Sequence, residues 1–220
     1  MSSIKILSLS DEVIDFIYNA QIRDRFPDVN LVLGCGDLPY YYLEYVVNML
    51  DTWMFYVNGN HAHKVEYCED GERTGPRGGI NLHRQVVRYN DMILAGVEGS
   101  LRYKEGPFQY SQVEMWGHVF SLIPRLLINR ARFGRYLDVF VTHAPPVGIH
   151  DQPDLPHRGI DAFRWFSHVF KPAYHFHGHV HLYRLDAPRE TIFESTKVIN
   201  TYRFTETTVE MNQHGILRGK

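Results

Sequence analysis

An α/β fold with a largely parallel sheet is what this sequence predicts, on two observations. Short apolar runs that read as buried strands recur at residues 4–9, 30–33, 53–57, 92–97, 137–141 and 174–176, and most end in a polar or glycine-containing loop. Amphipathic helical patterns lie between the early runs, and that alternation is the mark of βαβ units.

The elements follow in order. The run 4–9 leads to Ser10-Asp11, after which Val13, Ile14, Ile17, Tyr18 and Ile22 share one helical face. The run 30–33 leads to Gly36-Asp37, and Leu43, Val46, Val47 and Leu50 form the next apolar helical face. Tyr40-Tyr41-Tyr42, at the start of that helix, reads first as core and only second as a wall for stacking a base. The run 53–57 leads to Gly59-Asn60-His61. Residues 62–84 carry charge, two glycine-rich points and little periodicity, so they read as a long irregular loop, a feature often tied to function. After 92–97 comes a long helix over 111–133, with a bend expected at Pro124, then the run 137–141 ending at Thr142-His143. A helix over 161–170 precedes the run 174–176 and the segment His177-Gly178-His179-Val180-His181. Residues 191–210, rich in Thr, Val, Ile, Tyr and Phe with a break at Asn200-Thr201, read as strands in a hairpin or edge pair.

At 220 residues and 44% hydrophobic side chains the chain supports one sizeable core, and no repeat or linker divides it, so one domain over 1–220 is expected. Lys and Arg number 23 against 25 Asp and Glu, which excludes the broad basic surface of an obligate nucleic-acid partner. The apolar N-terminal stretch is too short and too interrupted for a signal core, and no run approaches a membrane span, so a cytoplasmic protein without a membrane partner is expected. Oligomeric state is not legible. Cys35 and Cys68 offer neither a disulfide framework nor a Cys-based zinc site, and reduced thiols are expected. The 13 histidines, four of them at alternate positions 175, 177, 179 and 181, point instead to metal chemistry. A structural zinc site, closed and usually Cys-rich, does not fit.

Ser10-Asp11, Gly36-Asp37, Gly59-Asn60-His61, Thr142-His143 and 177–181 each fall where a strand should end, the edge at which open α/β sheets gather ligands. Asp, Asn and His form a mixed oxygen and nitrogen set suited to Mn, Fe or Zn rather than Ca or Mg. Two such ions about 3.5–4 Å apart can clamp both oxygens of an in-line displacement at phosphorus. Taken singly, most segments have plainer accounts: Gly36-Asp37 and Gly59-Asn60 as turns, Asp11 as a helix N-cap, His143 as a strand-end histidine. For 177–181 metal ligation is the better account, because alternate imidazoles beside a glycine gain little from packing and bring two donors to one face.

The ordered series Asp11, Gly36-Asp37, Gly59-Asn60-His61, His143 and Gly178-His179-Val180-His181 resembles the signature of calcineurin-like metallophosphoesterases, across positions 11 to 181. Around the fourth motif, 142–150 resembles the branch of class III cyclic nucleotide phosphodiesterases. The resemblance implies a four-layer α/β/β/α sandwich of two mixed sheets, with a dinuclear centre at one edge. It implies two divalent ions (Mn, Fe or Zn) bridged by Asp37, the first held also by Asp11 and His181, the second by Asn60, His143 and His179. His61 would protonate the leaving oxygen or steady the transition-state charge, and a bridging hydroxide would be the nucleophile. Two departures stand out. The first motif normally reads Asp-x-His, whereas here it is Asp11-Glu12-Val13, which leaves open a weaker first metal, a substitute ligand in Glu12 or His63, or a single ion; a weaker dinuclear site is favoured. Ala62 replaces the acid that usually follows the third-motif histidine, a loss worth roughly 10 to 100-fold in metal affinity or activity. Arg102, in the loop after the run 92–97, could hold a phosphate in bidentate fashion, and a plain surface arginine is an equal account.

The expectation is therefore a metal-dependent phosphoesterase acting on a small-molecule phosphodiester or phosphomonoester, a nucleotide being one candidate, with the diester preferred. The rival is a scaffold on the same fold with one ion or none, like a retromer subunit of the family. Retention of His61 favours the enzyme.

Overall fold

The structure is a computed structural model that describes residues 2–68, 71–183, 186–212 and 215–216. In chain order the first strands are β1 (Ser2–Ser10), β2 (Val29–Cys35), β3 (Trp53–Val57), β4 (Glu66–Cys68), β5 (Gly71–Arg73), β6 (Gly79–Asn81), β7 (Gln85–Tyr89) and β8 (Met92–Val97). They are followed by β9 (Ser100–Leu101), β10 (Gln109–Tyr110), β11 (Val139–Thr142), β12 (Tyr174–His177), β13 (Glu190–Phe193), β14 (Thr196–Asn200), β15 (Arg203–Asn212) and β16 (Gly215–Ile216). The helices are α1 (Ile22–Arg25), α2 (Tyr40–Leu50), α3 (Gln112–Phe133) and α4 (Asp161–Phe170).

Twelve of the strands form two six-stranded sheets, β16-β15-β1-β2-β3-β6 and β13-β14-β12-β11-β8-β7. Side-chain parity turns the pair into four layers. Along β2, Leu31, Leu33 and Cys35 face the space between the sheets, while Val32 faces the layer built with α1 and α2. Along β8, Met92 and Leu94 face the other sheet, while Ile93, Ala95 and Val97 pack under Met115, Val119 and Leu122 of α3 and Phe163 and Phe166 of α4. Both faces of each sheet are thus covered, which is why these strands read as unbroken apolar runs. The result is the expected four-layer α/β/β/α sandwich of two mixed sheets.

Helix signals are local where they were legible. Ser111 accepts the Glu114 N–H and the Glu114 carboxylate accepts the Ser111 N–H, a capping box that starts α3. The helix runs on through Pro124 and stops at Gly134, whose φ of 73° a side chain would disfavour. Tyr40 and Tyr42 are buried core residues; Tyr41 is exposed.

Three expectations differ from the structure. No helix spans 13–22: the chain makes successive turns, the Asn19 side chain accepting the Gln21 N–H at 3.0 Å, and only Ile22–Arg25 is helical. An Asn that satisfies a backbone donor locally competes with the helix ladder, yet Ile17 and Ile22 are still buried. The sheets are mixed rather than largely parallel, because β7, β13 and β15 pair antiparallel with β8, β14 and β1. The span 62–84 holds β4, β5 and β6, the last extending the first sheet beside β3. The hairpin expected near the C-terminus is present as β13-β14, whereas β15 lies inside the first sheet. Cys35 is a free, buried thiol, and burial pushes it up to about 12; the Cys68 side chain lies outside the described residues. Among the described residues no helix is long and apolar enough to cross a membrane.

Candidate metal centre

The turns after β1, β2 and β3 of one sheet and after β11 and β12 of the other deliver Asp11, Asp37, Asn60 with His61, His143, and His179 with His181 to one place. The chain bends sharply to do so. Asp11, Asp37 and His179 have φ of 67°, 55° and 70°, left-handed conformations that cost a non-glycine residue on the order of 1–3 kcal/mol and recur at functional sites. Gly36 has φ of 95°, and a Cβ there would collide with the His143 ring.

The ring tautomers are set from behind. His143 donates Nδ1–H to the Cys35 carbonyl (2.8 Å), and His179 donates Nε2–H to the Pro156 carbonyl (2.7 Å). The lone pairs of the neutral rings therefore sit on His143 Nε2 and His179 Nδ1, and these two atoms are 3.2 Å apart. Asn60 Oδ1 lies 2.9 Å and Asp37 Oδ2 3.1 Å from His143 Nε2. The Asn60 amide is oriented by Tyr103, whose hydroxyl accepts from Nδ2 at 3.3 Å. Four acceptor atoms thus converge with no donor of their own, an arrangement that a metal ion or a proton relieves. A proton does so on His143: burial alone would push this ring down, but the Asp37 carboxylate outweighs it and raises the ring to about 9. In turn His143 holds Asp37 at about 2 against the opposing effect of burial. Burial, with repulsion from His143, lowers His179 to about 3, so it stays neutral and free to ligate. The ligand atoms of Asp37, His143 and His179 all lie within 4.8 Å of one another, so this triad can hold a metal ion.

On the near side the donors are sparser. The buried Asp11 carboxylate accepts the His179 backbone N–H with both oxygens, at 3.0 and 3.1 Å, and burial raises its pKa. His181 Nε2 is 4.0 Å from Asp11 Oδ1, its ring is stacked on Tyr202, and its Nδ1 shares a 2.6 Å hydrogen bond with the Tyr183 hydroxyl. Val13 packs into the apolar layer facing the helices. Glu12 is held by the Tyr202 hydroxyl (2.6 Å) and the Arg203 guanidinium (2.9 Å). His63 lies in an adjoining hollow with His61, Ala62 and Glu66.

A cavity of about 200 Å³ opens over the centre, lined by Asp11, Asp37, His61, Tyr103, Pro156, His157, His179 and His181. His61 is exposed, and its backbone N–H donates to Asp37 Oδ1 at 2.7 Å. Arg102 is not in this lining; its guanidinium donates to Glu114 at 2.9 Å and to the Gln109 carbonyl at 3.2 Å. The cavity residues that sequence reasoning did not single out are Tyr103, one place beyond Arg102, and His157, both on loops without periodicity. Of the alternate histidines, 179 and 181 face the cavity. His175 is buried with Nε2 on Thr142, and His177 is buried with Nε2 accepting from His150, so they serve the scaffold.

No family model and no curated relative matches the sequence. Solved structures do match its shape. One from Thermus thermophilus has a TM-score of 0.60 at 13% identity, over 92% of this chain and 90% of that one. A structure described as a novel phosphatase from Mycoplasma pneumoniae has a TM-score of 0.51 at 15% identity, over 92% of this chain and 73% of that one. Vacuolar Protein Sorting 29 from Cryptosporidium parvum has a TM-score of 0.44 at 13% identity, over 90% and 74%.

Proposed function

From a chain with the metallophosphoesterase fold and a donor set of this kind at its strand ends, we propose a metal-dependent phosphoesterase that hydrolyses a small-molecule phosphodiester or phosphomonoester, the diester preferred. The observation that carries it is the convergence of His143 Nε2, Asn60 Oδ1, Asp37 Oδ2 and His179 Nδ1 around one point. These four residues would hold one divalent ion, and Asp11, His181 and the other side of Asp37 a second, with Mn, Fe or Zn suited to the donors. Such ions supply Lewis-acid charge at the phosphoryl oxygens and a lowered water pKa. His61, at the cavity wall and tied to Asp37 through its own N–H, gives its ring proton to the leaving oxygen. Asp11 positions the metal-holding loop by binding the His179 N–H.

A one-ion scaffold is the second reading, and one observation favours it: Val13 is committed to the core and Glu12 to Arg203, so the near-side ion has few ligands. Metal content of the purified protein, with turnover of bis-p-nitrophenyl phosphate and p-nitrophenyl phosphate with and without Mn, separates the two. About two ions per chain and Mn-dependent turnover that falls at least about 100-fold in His61→Ala is the expected result. One ion or none, with no turnover of either ester under any metal, would make the protein a scaffold.

A further inference from the structure

The geometry points to His157, oriented by Asp154, as a second imidazole that contacts the phosphoryl group of the bound substrate; this rests on the phosphoesterase reading above. Of the eight residues lining the cavity, Asp11, Asp37, His179 and His181 are the metal-holding set. What remains to touch a phosphate is His61, Tyr103, Pro156 and His157; the Tyr103 oxygen accepts from the Asn60 amide, which leaves its O–H as a donor. His157 is therefore the second imidazole, beside His61, in the lining outside that set.

Its placement is built. The segment 148–159 is closed at its base by the Ile160 N–H donating to the Pro145 carbonyl (2.9 Å). It is tied within by Asp151, which accepts the N–H groups of Gly148 (2.9 Å) and Gly159 (3.1 Å). Pro156 links it to the centre by accepting His179 Nε2–H, and the His157 ring lies 5.5 Å from the His179 ring. Asp154 Oδ2 accepts His157 Nδ1–H at 2.7 Å, which fixes the ring and leaves Nε2 for the cavity. With Nδ1–H given to Asp154, Nε2 is the ring atom left to meet a phosphoryl group in the cavity. Both side chains are partly exposed, 38% for His157 and 47% for Asp154, so neither serves the core and replacing either leaves the fold intact.

The test is binding of inorganic phosphate to Mn-loaded protein by calorimetry, with metal content and the kinetics of the two nitrophenyl esters measured on the same samples. His157→Asn is expected to weaken phosphate binding about tenfold at unchanged metal content, and Asp154→Asn to weaken it less, in the same direction. In the kinetics the loss should fall mainly on KM. Wild-type protein that binds no phosphate, a His157→Asn variant with wild-type phosphate affinity, or loss of metal from that variant would each overturn the assignment. Phosphate binding that depends on His157 without turnover of either ester would uphold it while removing the phosphoesterase reading; turnover indifferent to His157 would do the reverse.

Discussion

At the scale of single residues, the centre depends on absences as much as on donors. A Cβ on Gly59 would strike the Asp37 carboxylate and its backbone nitrogen, so Gly59→Ala should displace Asp37 and lower metal affinity by about 10 to 100-fold, read as metal retained after dialysis. A variant that keeps its metal would show that Asp37 can shift without harm. Glu12 supplies the converse case. With its carboxylate on Tyr202 and Arg203, Glu12→Gln should leave metal stoichiometry unchanged and cost stability no more than about 1 kcal/mol. A lost ion would make Glu12 a ligand. The motif residues stand out in the sequence because each falls at a strand end, and Asp37, Asn60 and His179 also follow a glycine, so that residue type and place both constrain chemistry. Tyr103 and His157 do not, because their loops are shaped by contacts such as Gln109 to the Tyr103 N–H and Asp151 to Gly148 and Gly159, which no local pattern announces.

Among the elements, α3 is the clearest case of local information agreeing with tertiary demand. Its capping box, its buried Met115, Val119, Leu122 and Leu126, and its Gly134 stop are all visible in sequence. Ser111→Ala should remove one cap and destabilise the fold by about 1 kcal/mol in urea unfolding; no change would mean that Arg102, also bonded to Glu114, holds the first turn alone. The segment 13–22 is the counterexample. Its apolar spacing fits a helix, but the same positions meet the core through turns, and periodicity alone does not separate the two. For β15 the alternation was visible, Thr207, Val209 and Met211 pointing inward between exposed Glu206, Thr208 and Glu210, but not its partner.

For the molecule as a whole, several buried histidines make acid the natural stress. Burial holds His175 and His83 neutral down to about 3, whereas in the unfolded chain each takes up a proton near 6.5. The unfolded state therefore binds more protons across that window, and stability falls as pH drops below about 6.5. Each ring contributes a slope on the order of 1 kcal/mol per pH unit there. His143, raised to about 9, is protonated in both states below 6.5 and adds no slope in that window. Urea unfolding of metal-free protein at pH 7, 6 and 5 should show a steepening loss, reduced in His83→Asn; a flat profile would mean that these rings find protons without unfolding.

The placement of β15 also sets a timetable for the ribosome. β1 is made well before β15, yet the two are paired from Ser2↔Met211 to Ser10↔Arg203. Until β15 emerges, β1 can pair only with β2 and keeps an open edge, the kind of surface on which nascent chains stick to one another. Tyr202, against which His181 is stacked, also arrives late in synthesis. Nascent chains halted before β15 should therefore be protease-sensitive and rely on chaperones, and protection should appear in a single step as β15 is released.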